Sequence, residues 1–316
     1  MDNMLKTAKI VVDVNDRWRQ FFAERAITIK SFPIVERDDV VFTMGSCFAR
    51  EIRYKLAEAG IRVGPDFSSI PDRRDCYVID NLPHEQHLNY YNTFTMRQEF
   101  ECIVGKWTQS PTDYWQLKRD PTGLGMHFQD PYKRMTFAKT PEELHAAISQ
   151  VNDALARAAR TSRIFFFTLG MAEVFKKLDN QLIACQKPSY LGGGGELQTQ
   201  IHLSSFAENL DNMNAIREII KSFNPDARIV VSVSPVPLER TFSERDILVA
   251  NLEGKSLLRA VAGEFARSHE DVAYFPSYEI VTMLGEAAFE ARDLRHVNAQ
   301  TIHEIMTIFF KAHFVP

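Results

Sequence analysis

The chain lacks the cysteine content and spacing of disulfide-stapled or zinc-binding domains. Its 316 residues include four cysteines, and none of them belongs to a C-x-x-C pair or a zinc-ligand pattern. Reduced thiols in a cytoplasmic protein are therefore the expectation for all four. These are Cys47, Cys76, Cys102 and Cys185.

Long apolar runs and an excess of basic residues are also missing. Asp13, Asp16 and Arg17 interrupt the N-terminal apolar stretch, which predicts neither a secretory leader nor a membrane span. The net charge of -4 argues against a nucleic-acid partner, because neutralising phosphates requires a basic surface. The sequence leaves the number of subunits open.

Two short motifs fall short of known binding sites. The glycine run at residues 192–195 lacks the Lys-Ser/Thr of a phosphate-binding loop, so a flexible loop is expected. His84 and His87 have no further ligand cluster around them, which favours a polar loop over a metal site. We therefore expect neither a metal nor a cofactor.

Strand-like and helix-like segments alternate along the chain. This order predicts one α/β domain over residues 1–316, a three-layer sandwich with a mostly parallel sheet covered on both faces. Residues 1–38 are expected to form an N-terminal extension, and residues 65–131 a long insertion after the second strand, with a hairpin around 106–117. Strands are predicted at 39–44, 61–64, 163–169, 228–233 and 271–275, and helices at 48–59, 140–159, 205–223, 243–268 and 298–313.

Ser46 stands directly after the first predicted strand and directly before a helix. Sheets of this kind bind ligands beyond the carboxyl ends of their strands, and a helix N-terminus supplies free N–H groups there. Gly45 allows a tight turn, so Ser46 is a candidate nucleophile for acyl chemistry. A helix N-cap is the alternative role for Ser46. Cys47 is a second candidate nucleophile, since helix N-termini activate thiols.

Asp293 and His296 lie three residues apart just before the last predicted helix. A carboxylate at this spacing can fix the tautomer of the imidazole, leaving its other nitrogen to face a nucleophile. The alternative is a surface turn capped by an aspartate. Together with Ser46, the pair predicts a Ser-His-Asp arrangement.

The turn at residues 45–49 reads GSCFA, and the chain resembles the GSCFA family of the SGNH/GDSL hydrolase superfamily. Further segments similar to that family extend the resemblance to the last helix, and they imply a flavodoxin-like sheet of the SGNH type. These segments are YNTF at 91–94, DPYKR at 130–134, LGMAE at 169–173, VSPVP at 233–237, FPSYE at 275–279 and DLRHV at 293–297.

The resemblance also implies roles for site residues. Ser46 takes the place of the nucleophile, and Asp293 and His296 match the D-x-x-H block. Residues 170–173 align with the G-x-N-D block, where Ala172 replaces the usual oxyanion-hole asparagine. Asn92 is the expected substitute, beside the backbone amides of Ser46 and Gly170, although it can equally stabilise a turn.

The same resemblance suggests a serine esterase or O-acyltransferase that acts on an acylated carbohydrate, with a non-catalytic glycan-binding module as the alternative. Glu173, Tyr91 and Arg134 are the candidate substrate-binding residues. Glu173 can instead begin a helix, and Arg134 with Lys133 can be a solvated pair. The remaining aromatic residues of the insertion can form a sugar-stacking wall or pack internally: Tyr90, Trp107, Tyr114 and Trp115.

Overall fold

The structure, a computed structural model, describes residues 14–24, 27, 29, 32, 35–36, 38–67, 89–118, 125–134, 136–185 and 199–314. Parts of the predicted extension and insertion lie outside these residues. So do Cys76, His84, His87 and the glycine run at 192–195.

The strands follow one another in chain order as β1 (Val40–Gly45), β2 (Arg62–Gly64), β3 (Trp115–Gln116), β4 (Phe128–Gln129), β5 (Phe137–Ala138), β6 (Ile164–Leu169), β7 (Glu173–Lys177), β8 (Ile183–Ala184), β9 (Thr199–Leu203), β10 (Arg228–Val233) and β11 (Val272–Tyr274). The helices are α1 (Val14–Glu24), α2 (Cys47–Glu58), α3 (Thr93–Ile103), α4 (Pro141–Thr161), α5 (Phe206–Phe223), α6 (Ile247–Ser268), α7 (Ser277–Leu284) and α8 (Ala299–His313).

A five-stranded sheet forms the centre, in the order β2-β1-β6-β10-β11. All four of its pairings are parallel, and the register of β1 on β6 places Gly45 opposite Thr168. The prediction of a mixed α/β protein with a mostly parallel sheet is confirmed. Because the strands are parallel, the turns that follow β1, β6, β10 and β11 share one edge of the sheet.

Helices cover both faces of this sheet. Alternate side chains of β6 point to opposite sides, so Phe165 and Phe167 join one core while Ile164 and Phe166 join the other. The first core also contains buried residues of α3 to α6, and the second contains those of α2, α7 and α8. Burial of each large apolar side chain contributes roughly 1.5–3 kcal/mol, so the two cores hold the sheet edge in place.

The region predicted as an irregular insertion contains regular structure. Helix α3 lies within it, and β3 pairs with β4 in a small antiparallel sheet that β5 completes. The predicted hairpin around 106–117 is therefore wrong: Trp115 is buried against Phe175 and Ala184, and its strand finds its partner at Phe128–Gln129.

Two more expectations need correction. Glu173 begins β7, the middle strand of a second antiparallel sheet with β8 and β9, and does not begin a helix. The predicted helix at 243–268 starts later, at Ile247, where the Asp246 carboxylate accepts a hydrogen bond from the N–H of Leu248. None of the helices in the described ranges is long and apolar enough to cross a membrane.

Candidate active site

The turn after β1 is held tightly against β6. Gly45 has a φ of +150°, and a Cβ atom at this position would lie 2.3 Å from Thr168 Oγ1 and 2.4 Å from the Thr168 carbonyl oxygen. Only glycine combines this backbone conformation with so close an approach. The turn therefore fixes where the next two side chains, Ser46 and Cys47, are presented.

Ser46 has the contacts of a helix N-cap. Its Oγ accepts a hydrogen bond from the N–H of Phe48 at 3.2 Å and lies 3.1 Å from Thr168 Oγ1. Its own N–H donates to Thr168 Oγ1 at 2.9 Å. Thr168, which the sequence did not single out, thus contacts both the backbone N–H and the hydroxyl group of Ser46.

Asp293 and His296 form the hydrogen-bonded pair that their spacing predicts. The ring Nδ1 of His296 lies 2.6 Å from Asp293 Oδ2, and Asp293 Oδ1 accepts the backbone N–H groups of Arg295 and His296 at 3.0 Å each. The hydrogen bond from the imidazole, followed by these two amides, lowers the pKa of Asp293 below its ordinary value. Leu294 between them adopts φ +51°, an uncommon conformation that such sites often hold.

One cavity of about 350 Å³ at the carboxyl edge of the sheet collects the predicted residues. Ser46 and His296 both line it, although no hydrogen bond joins them within the described residues. Nδ1 of His296 is occupied by Asp293, and its Nε2 has no hydrogen-bond partner among the described residues. The other predicted residues on its wall are Gly170, Asn92, Tyr91, Arg134 and Glu173.

The predicted oxyanion donors divide into two kinds. The N–H of Gly170 donates to the Tyr91 carbonyl at 2.9 Å, and the N–H of Ser46 is bound to Thr168, so this conformation argues against both amides as donors. Asn92 Oδ1 caps α3 by accepting the N–H of Thr95 at 2.9 Å. That bond fixes the orientation of the amide and leaves Nδ2, which bonds to no described residue, as a donor for the cavity.

Of the three candidate substrate-binding residues, two contact each other on the cavity wall and the third has a structural role beside it. The guanidinium carbon of Arg134 lies 5.2 Å from the ring centroid of Tyr91, and both residues line the cavity. The carboxylate of Glu173 is instead engaged by the Thr241 hydroxyl and, at 3.0 Å, by the N–H of Phe242. Glu173 therefore anchors the 241–242 segment beside the cavity.

The aromatic residues predicted as a sugar-stacking wall mostly pack inside the protein. The Tyr90 hydroxyl donates to Glu99 at 2.8 Å, and Trp107 Nε1 donates to the Gln98 carbonyl at 2.7 Å. Trp115 is fully buried, and Tyr114 packs edge-on against Phe128. Lys133 is also internal, in a buried ion pair with Glu99 at 2.7 Å.

Lys255 is a buried cavity residue that no motif in the sequence indicates. Its Nζ donates to the carbonyls of Gly170 at 2.9 Å and Ser234 at 2.8 Å, which links the turns after β6 and β10. Burial lowers its pKa from the ordinary 10.5 to about 7. The spacing of Lys255 from Leu258 and Ala262 does indicate that it is buried, because the three residues lie on the same buried face of α6.

The lowered pKa of Lys255 predicts a pH dependence of stability. Between about pH 7 and pH 10, the unfolded chain binds a proton on this lysine that the folded chain does not, so the free energy of unfolding rises with pH. From pH 7 to pH 9 we expect Lys255 to contribute about 2 kcal/mol to that rise. Urea unfolding of the wild type and of Lys255→Met at both pH values measures it.

An exposed lysine, Lys106, provides the control, since Lys106→Met should leave the pH dependence of the wild type unchanged. The comparison uses only the change with pH, because Lys255→Met also removes the donor of two buried carbonyls. Parallel stability curves for the wild type and Lys255→Met would contradict the prediction.

The described residues contain no group of three or more His, Cys, Asp or Glu side chains that could hold a metal ion. Cys47, Cys102 and Cys185 are free thiols. The site is thus an α/β sheet edge where an Asp-His pair faces a cavity beside a serine and a cysteine. The chain belongs to the GSCFA family, whose model matches residues 40–309. A comparison with curated protein sequences finds no match.

Proposed function

We propose that this protein is an acyl-transfer enzyme, an esterase or O-acyltransferase, that forms an acyl-enzyme at the turn of Ser46 and Cys47. The observation that carries the proposal is the Asp293–His296 pair. Among the described residues, Nε2 of His296 has no hydrogen-bond partner, and His296 lines the same cavity as that turn. In this arrangement the neutral imidazole accepts the proton of the nucleophile, and Asp293 stabilises the imidazolium that results.

Membership of the SGNH/GDSL superfamily is part of the proposal. Numbered along the chain, the five strands of the central sheet have the order 2-1-3-4-5, which is the flavodoxin-like order. A nucleophile turn after the first strand and a D-x-x-H block before the last helix agree with the resemblance of the sequence. Ser46 is the nucleophile that this resemblance implies.

The negative charge that develops on the substrate oxygen requires a hydrogen-bond donor at the cavity wall. Asn92 Nδ2 is the side-chain donor that we assign to this role, because its cap hydrogen bond holds the amide in one orientation. This assignment compensates for Ala172, which has no donor in its side chain. Loss of one such donor typically costs about 10²–10³ in rate.

The substrate we propose is an acylated carbohydrate or another small ester. The stacked Tyr91 and Arg134 on the cavity wall support it, since an aromatic ring and a guanidinium can contact a sugar ring and its hydroxyl groups. Water as the acceptor gives hydrolysis, and a sugar hydroxyl gives transfer. A cytoplasmic location and the absence of a nucleic-acid partner remain predictions.

A direct test supplies p-nitrophenyl acetate and an O-acetylated oligosaccharide to the purified protein and measures released acetate. We expect turnover of at least one ester, and its loss in the double variant Ser46→Ala/Cys47→Ala. The loss of the cap should cost about 1 kcal/mol, so circular dichroism verifies that the variant is folded. An added sugar acceptor distinguishes transfer from hydrolysis.

A non-catalytic glycan-binding module is the second candidate. The observation that favours it is that the backbone amides of Ser46 and Gly170 already have acceptors, so they cannot also bind an oxyanion in this conformation. Saturable binding of the oligosaccharide without any release of acetate would support this candidate and contradict the enzyme.

A further inference from the structure

The turn after β1 presents two nucleophiles that differ in what their side chains contact. Ser46 is only 3% exposed, and its Oγ is held by the N–H of Phe48 and the hydroxyl of Thr168. Attack by this oxygen would break the N-cap of α2 and the contact with β6. Its position is that of a structural cap.

Cys47 is placed differently. It is the first residue of α2, is only partly buried, and lines the cavity. Its thiol has no hydrogen-bond partner among the described residues. The partial positive charge of the helix N-terminus and the guanidinium groups of Arg50 and Arg295 favour negative charge on its sulfur.

A second observation points to a ligand at the same place. Ser234 lines the cavity at the end of β10, is 1% exposed, and its Oγ has no hydrogen-bond partner in the part of the chain that the structure describes. Buried hydroxyls are nearly always paired, so an unpaired one on a cavity wall indicates a missing polar partner. An ester oxygen of a bound substrate would supply that partner when the hydroxyl group rotates toward the cavity.

We propose that the Cys47 thiol, and not the Ser46 hydroxyl, is the group that carries the acyl intermediate, with Ser46 as the cap that positions it. This inference rests on the proposed function and concerns the nucleophile of the same site. Cys185 also lines the cavity, but it is buried to 4% exposure and lacks a helix N-terminus. It is therefore the poorer candidate.

The chemistry balances without an oxidant or a further reactant. As the sulfur bonds to the ester carbonyl carbon, the thiol proton passes to His296 Nε2. The carbon–oxygen bond of the ester then breaks, and the leaving alcohol takes that proton. Water or an acceptor hydroxyl next gives its proton to His296 and attacks the thioester. The carbon–sulfur bond breaks, and the thiolate recovers the proton.

His296 is needed for this step because the thiol is protonated at rest. Burial raises the pKa of Cys47 above its ordinary value of 9.0, and the neighbouring cations offset part of that rise. A base must therefore remove the proton as the bond forms. We assign this role to His296, which lines the same cavity and is hydrogen-bonded to Asp293.

The test is to trap the acyl-enzyme with p-nitrophenyl acetate by acid quench and to locate the acetyl group by peptide mass spectrometry. We expect it on Cys47, removable by neutral hydroxylamine as a thioester is. Cys47→Ala should lose the adduct and at least about 10³-fold of the turnover. Cys102→Ala, a partly buried cysteine outside the cavity, is the matched control and should behave as the wild type.

Ser46→Asn separates the two roles, because asparagine retains an N-cap acceptor but has no nucleophilic hydroxyl. We expect this variant still to acquire the acetyl group on Cys47. If Cys47→Ala does not fold, Cys47→Ser gives the same information through the position of its adduct. An acetyl group on Ser46 of the wild type would overturn the inference and leave the proposed function standing. Absence of both adduct and turnover would overturn the two together.

Discussion

Replacing His296 by alanine should lower the rate of ester turnover about 10³-fold, within the range that a positioned general base contributes. The reason is geometric, because Nδ1 of the ring is held by Asp293 at 2.6 Å and the other nitrogen is left to accept the proton of the nucleophile. The effect should be the same whether Ser46 or Cys47 is acylated. Steady-state kinetics with p-nitrophenyl acetate measure it.

The side chain of His296 is 37% exposed, so its removal leaves an opening that small molecules can enter. Imidazole added to the buffer should therefore restore part of the activity of His296→Ala. His303→Ala is the control, since this exposed histidine of α8 does not line the cavity. Full activity of His296→Ala without added imidazole would exclude the pair as the base.

Much of the sheet was predictable because each of its main strands is a run of adjacent apolar residues. The runs 164–169 and 228–233 are almost continuously apolar, as strands buried on both faces must be, and the helices between them have clear apolar stripes. In the structure, polar side chains cap the starts of several of these helices. Ser205 and Glu208 form a capping box that the structure shows in full.

Helix α3 was not predicted from the sequence because its buried face is partly polar. Glu99 is buried but paired with Lys133, and Gln98 exchanges hydrogen bonds with the backbone of Ile183, 85 positions along the chain. These partners make burial of the polar groups tolerable, but they belong to other elements. The apolar period of the helix is correspondingly weak, and the sequence alone suggested an irregular insertion.

In the candidate site too, features encoded by neighbouring residues were predictable, and features that depend on distant segments were not. Asp293 and His296 were found because they lie three positions apart, so one turn brings them together. Thr168 and Lys255 depend on contacts between distant segments, and their partners include backbone N–H and carbonyl groups, which nearly every residue has. Ser46 and Cys47 both line the cavity, and which of their side chains is held in other contacts depends on the direction of two adjacent side chains, which spacing does not encode.

Gly45→Ala should destabilise the protein by about 3–5 kcal/mol, combining a strained backbone conformation with an overpacked contact. The new methyl group would lie 2.3–2.8 Å from three atoms of Thr168, two of which belong to the backbone of β6. Neither strand can move away easily, because Gly45 and Thr168 are paired between two inner strands of the central sheet. Urea unfolding of the purified variant measures the loss.

Gly60→Ala separates the two contributions to that loss. Gly60 also has a positive φ, +78°, but nothing lies within 4 Å of the point that its new methyl group would occupy, so only the conformational cost of about 1–2 kcal/mol applies. Adding Thr168→Ala to Gly45→Ala should recover little, since the contacts with the backbone of Thr168 remain. Equal losses for Gly45→Ala and Gly60→Ala would show that β1 and β6 are not packed this closely at the turn. The presentation of Ser46 and Cys47 would then have to rest on other contacts.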